Sequence, residues 1–130
     1  MSRSTFLTIT AFIALFIGFA ALFFPAVLLE SKGVVNNPAA NVWMSEVGVL
    51  LLAIGVIVFL IRKEPDSLAL KAILTGIIVI QSGLLLVEIA AYSKGIIIEI
   101  SGIIPNSIIH TGLIIGLAYY LIRLNSKIKA

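Results

Sequence analysis

Glu46, Glu88 and His110 are ionisable residues standing inside long apolar runs of this 130-residue chain. Two carboxyls and an imidazole can exchange protons, hydrogen-bond the polar head of a bound molecule, or offer an N/O set to iron or zinc. A charge in hydrocarbon costs about 2.5 kcal/mol or more at mid-membrane, which makes each of these residues a functional-site hypothesis by default. Structural glue between helices and simple snorkelling towards the headgroups are the two bland alternatives.

The surrounding sequence says what must position them. Hydrophobic residues make up 61% of the chain and charged residues 12%, about half the charged content of a soluble domain. Four apolar runs, at about 5–29, 42–61, 68–92 and 107–124, are each long enough to cross a bilayer. Lipid offers the backbone no hydrogen-bond partner, so runs of this length must be helical. The expected fold is an all-α membrane protein, a four-transmembrane-helix antiparallel bundle forming a single transmembrane domain over 1–130. A signal peptide fits the first run poorly, because its apolar stretch is too long and no A-x-A site follows it.

Orientation follows from Lys and Arg. Four spans put both termini and the middle turn on one side, which collects Arg3, Arg62, Lys63, Lys71, Arg123, Lys127 and Lys129. Only Lys32 and Lys94 fall on the other side. Both termini are therefore expected to be cytoplasmic, in a multi-pass protein of the cell inner (plasma) membrane. The same distribution removes nucleic acid as a reason for the net charge of +3. With no cysteine, disulfides and thiolate metal sites are excluded.

The turn Arg62-Lys63-Glu64-Pro65-Asp66-Ser67 is short and polar, with Pro65 ending the second helix and Asp66 or Ser67 capping the third. It predicts a tight antiparallel hairpin between the second and third helices. The first outer loop, 30–40, carries Gly33, Asn36, Asn37 and Pro38 and reads as a turn. The second, 94–106, holds Ile96, Ile97, Ile98, Ile100, Ile103 and Ile104. Such a loop either lies in the interface, folds back as a lid, or extends the third helix. A faint repeat pairs Ser31-Lys32-Gly33 with Ser93-Lys94-Gly95, and Leu60-Ile61-Arg62 with Leu121-Ile122-Arg123.

With this topology Glu46, Glu88 and His110 each fall about one turn below the outer surface, at a rise of about 1.5 Å per residue. Trp43 and Tyr92 mark the interface beside them. Gln81, seven residues before Glu88, lies on nearly the same face and deeper. Ser45, Ser82 and Thr111 could add hydrogen bonds. Small residues form a second stripe on each helix: Gly48 and Gly55; Gly76, Gly83 and Ala90; Gly112 and Gly116. Such stripes allow close helix approach, within one bundle or between a homo-oligomer or partner membrane protein.

Nothing in the chain reads as a nucleophile with an adjacent base, a phosphate loop or a nucleotide fingerprint. A conducting pore lacks a polar stripe through the cytoplasmic halves of the first, second and fourth helices. No cofactor is detectable, and whether any reaction is catalysed is open.

The segment Ser45-Glu46-Val47-Gly48-Val49-Leu50-Leu51-Leu52-Ala53-Ile54-Gly55 resembles the second-helix signature of DoxX-like membrane proteins: an acidic residue, a glycine, then a leucine-rich run ending in glycine. The four-helix layout and chain length also fit, and His110 matches a polar position early in the fourth helix of small relatives. The resemblance implies an accessory role in a quinone-linked membrane redox system, or help in assembling other membrane proteins. Glu46 corresponds to the family's acidic position; Glu88 and Gln81 are not carried over from the resemblance. The expected function is thus binding of a small amphipathic ligand, a quinone or a lipid, in an outer-leaflet pocket of Glu46, Glu88 and His110, with Gln81, Trp43 and Tyr92 nearby. The alternative is a non-catalytic membrane-protein partner or assembly factor whose buried polar residues are structural.

Overall fold

In the computed structural model, residues 1–35 and 37–128 are described, with side chains described through Leu124. Asn36 of the first outer loop, Lys129 and the side chain of Lys127 lie outside the described residues. The chain runs α1 (Arg3–Phe23), α2 (Pro25–Glu30), α3 (Pro38–Ile61), α4 (Leu68–Ser93), a 3-10 turn (Ile100–Gly102) and α5 (Ile104–Ile128). Four of these helices, α1, α3, α4 and α5, are long and apolar enough to span a membrane.

Local chemistry sets their ends. Ser2, Asn37 and Ser67 cap α1, α3 and α4 by accepting the backbone N–H of Thr5, Ala40 and Leu70 at 3.1, 2.8 and 3.2 Å. Pro38 occupies the first turn of α3, where its missing N–H costs nothing. Pro25 does the opposite in the first apolar run. Phe24 leaves helical geometry at φ −131° and ψ 46°, and α2 restarts with Pro25 in its first turn. The expected single span over 5–29 is therefore a full-length helix and a short, separately angled one.

Packing corrects the expected hairpin. α3 runs along α1 and α4 along α5, whereas α3 and α4, joined by the short turn, barely touch. The bundle is two helical hairpins, 3–61 and 68–128. The seam of the first is drawn by glycine: a Cβ on Gly48 would lie 2.5 Å from Leu22 N, and one on Gly18 2.8 Å from Leu52 N. Backbone meets backbone there, which no larger residue permits.

The hairpins join at two places. At the end holding both termini, an apolar core gathers Phe6, Leu7 and Ala11 of α1, Val58 of α3, Leu70, Leu74 and Ile77 of α4, and Leu113, Leu117 and Leu124 of α5. The Phe6 ring occupies the space above Gly116 and stacks on Tyr120 at 5.3 Å. At the opposite end the outer loops interlock: a Cβ on Gly33 would meet Ile98, and one on Gly102 would meet Lys32. Ile97 and Ile103 are buried in this contact, while Ile96, Ile98 and Ile100 face outward. The isoleucine-rich loop thus closes on the first outer loop rather than lengthening α4.

Phe12, Phe16, Phe19 and Phe23 project from one side of α1, more than half exposed. In water such a stripe would be an aggregation surface; in a bilayer it is the expected lipid contact.

Candidate functional site

The structure divides the expected site into two. Glu88 and His110 come together with Gln81, while Glu46 stands on the other hairpin.

Glu88, near the C-terminal end of α4, is the hub of the first group. Its Oε1 accepts hydrogen bonds from Lys32 Nζ at 2.6 Å and from Asn106 Nδ2 at 2.5 Å. Lys32 also donates to the Gly102 carbonyl at 3.1 Å. The Lys32 and Glu88 side chains are only 16% and 15% exposed. A charge pair this deep persists because each partner meets its opposite and further hydrogen-bond partners. Lys32 comes from the first hairpin; Glu88, Asn106 and Gly102 belong to the second. The pair therefore ties the hairpins together at the end away from the termini.

Glu88 Oε2 is buried without a hydrogen-bond partner among the described residues. His110 Nε2 lies 3.9 Å away. The other ring nitrogen, Nδ1, sits 2.6 Å from Gln81 Oε1. An amide oxygen only accepts, so Nδ1 carries the hydrogen. A neutral imidazole in that tautomer turns its Nε2 lone pair towards the carboxylate.

Lys32 and Asn106 were absent from the sequence expectation. Asn106 had a signal, since it precedes His110 by four residues and shares its helix face. Lys32 had none beyond being a lone cation in a polar loop; only the interlocking of the two loops brings it inward.

Glu46 is exposed on α3, and among the described residues no hydrogen bond or ion pair joins it to Glu88 or His110. It borders an open groove of about 340 Å³ between α1 and α3, together with Leu22, Asn41, Val42, Ser45 and Val49. Asn41 Oδ1 is buried there with no hydrogen-bond partner among the described residues. Ser45 donates its hydroxyl hydrogen to the Leu22 carbonyl at 3.3 Å, leaving its oxygen as an acceptor. The groove is thus apolar with three acceptors. Trp43 is 68% exposed one turn before Glu46, and Tyr92 is exposed at the end of α4; neither lines the groove. α3 pairs with α1, and α4 with α5, so Glu46 belongs to one helix pair and Glu88 and His110 to the other.

Among the described residues no group of three or more His, Cys, Asp or Glu is placed to hold a metal ion. The small-residue stripes also part ways. Gly48 and Gly55 pack on α1 and Gly116 under Phe6, whereas Gly76, Gly83 and Gly112 have nothing within 4 Å. No family model, curated protein or solved structure matches the chain.

Proposed function

We propose that this is a small multi-pass protein of the inner membrane, with both termini cytoplasmic, that binds the head of an amphipathic molecule in the groove beside Glu46. The observation that carries the reading is the buried, unpartnered Asn41 Oδ1 next to an exposed carboxylate in an otherwise apolar wall. The groove's volume falls in the range of small-molecule sites, about 300–1,000 Å³. Asn41 Oδ1, the Ser45 hydroxyl oxygen and the Glu46 carboxylate are acceptors, so a ligand that brings donors suits it. A quinol suits it better than a quinone, and an ethanolamine head better than a choline. The resemblance of 45–55 to DoxX-like proteins points the same way, towards an accessory role near a membrane redox system. The Glu88–His110 cluster is then the brace that keeps the two hairpins in register.

Trp43 is the chain's only tryptophan and lies on the face of Glu46, so its emission reports on the groove. A short-chain ubiquinol or phosphatidylethanolamine should shift that emission. Glu46→Ala should weaken binding at least about tenfold, the loss expected for a charge-assisted hydrogen bond, with stability changed by no more than about 0.5 kcal/mol. Equal binding by wild type and Glu46→Ala would sink the proposal.

A second reading, in which the chain serves as a partner or assembly subunit, is favoured by α4. Ala69, Gly76, Gly83 and Ala90 recur every seven residues on an exposed face, and a Cβ added to either glycine would meet no other part of the protein within 4 Å. Seven-residue spacing of small residues is what a close helix–helix seam requires. Gly76→Ile with Gly83→Ile should leave the monomer's melting temperature unchanged but abolish self-association measured by energy transfer in liposomes. Unchanged energy transfer removes this reading as far as a second copy is concerned.

A further inference from the structure

The end of the bundle opposite the Glu88 cluster contains a cavity of about 600 Å³ lined by Arg3, Arg62, Lys63, Asp66, Tyr120 and Arg123 among others. A charge bias between loops explains why basic residues lie at this end. It does not explain why four of them, from the start of α1, the turn after α3 and the last turns of α5, converge on one hollow. Lys71 lies at the same end and does not line it.

Contacts with the wall fix these side chains. Arg62 lies over the Phe59 ring, 3.6 Å from its centroid, and bonds the Phe59 carbonyl. Arg123 lies over Tyr119 at 4.6 Å. A guanidinium stacked by its face still presents in-plane N–H donors from its edge, the geometry that grips a phosphate with two bonds. Arg3 is fixed by Asp66 and donates to the Glu64 carbonyl at 2.6 Å. Tyr120 donates to the Met1 carbonyl at 2.8 Å and closes the wall between α1 and α5. Among the lining residues four basic side chains, Arg3, Arg62, Lys63 and Arg123, stand with one carboxylate, that of Asp66.

We infer that this cavity binds the phosphate of an anionic phospholipid headgroup, seating one lipid between the two hairpins. The cavity opens where the apolar spans end, at headgroup level, and basic pockets between membrane helices suit such heads. The apolar surface of the helices beside it accommodates the acyl chains. A free phosphate shares the headgroup's chemistry but has nothing to place against that surface.

The test uses the full-length protein in a neutral detergent, with native mass spectrometry and thermal melting as readouts. Phosphatidylglycerol and cardiolipin should bind and raise the melting temperature. Phosphatidylcholine should do neither at the same concentration. Arg62→Gln with Arg123→Gln should reduce retention of the anionic lipid about tenfold or more, whereas Lys71→Gln should retain it fully. Should the double substitution fail to fold, Arg62→Lys with Arg123→Lys keeps the charge and should lose affinity through the missing bidentate geometry. Equal binding of phosphatidylcholine, or full retention in both double variants, overturns the inference. Stabilisation by inorganic phosphate at the concentration that suffices for the lipid also overturns it, by making the site one for free anions.

Discussion

Lys32→Met should destabilise the protein by about 3–5 kcal/mol, the usual penalty for leaving one member of a buried ion pair behind. Glu88 would keep its bond from Asn106, but a neutral amide does not replace an ammonium 2.6 Å away. The companion experiment separates a destabilised charge from a lost fastening. In Lys32→Met with Glu88→Met, the carboxylate goes too, and replacing a buried pair by apolar side chains of similar size is often neutral or better. Most of the lost stability should therefore return, as read from thermal melting in detergent. A single substitution that costs less than about 1 kcal/mol would show that Glu88 is not held as a buried charge. The bridge would then contribute nothing to joining the hairpins.

The second large effect lies in the first hairpin. Gly48→Val should cost about 3 kcal/mol or more, at or above the top of the range for overpacked cores. Ordinary overpacking is relieved by rotating a neighbouring side chain. Here the nearest atoms are Leu22 N at 2.5 Å and Gly18 O at 2.8 Å, both backbone, so the helices themselves must separate. Gly83→Ala makes the matching control. Its added methyl meets nothing within 4 Å, and alanine favours the helix over glycine by about 0.8–1 kcal/mol. Melting temperatures moving in opposite directions in the two variants would verify the seam. Comparable losses at Gly48 and Gly83 would contradict it.

The sequence reading reached the helices well because each rests on a local rule. Apolar length alone marks α1, α3, α4 and α5, and Ser67 was readable as a cap from the turn before it. Pro25 was visible too, although its effect on the first span was underestimated. Pairing was not local. A six-residue turn suggested that α3 and α4 lie together, yet the glycines at 18 and 48 bring α3 to α1 instead. That one choice of partner decided the site as well. Glu46 follows α3 to the first hairpin's own surface, while Glu88 and His110 stay with the second. Gln81 was found through its seven-residue offset from Glu88, a property of one helix. Lys32 escaped because its role depends on two loops distant in the chain closing on each other.

The near absence of contact between α3 and α4 gives the chain a natural order of assembly. Residues 3–61 can complete their seam before the rest of the polypeptide has left the ribosome, because every glycine contact in it lies within that segment. The second pair of helices closes on its own through short-range contacts, which form quickly. What remains is the docking of two finished plates. The turn at 62–67 holds them within reach of each other, so the docking step is intramolecular. A small apolar core at one end and an ion pair at the other then lock the two halves face to face.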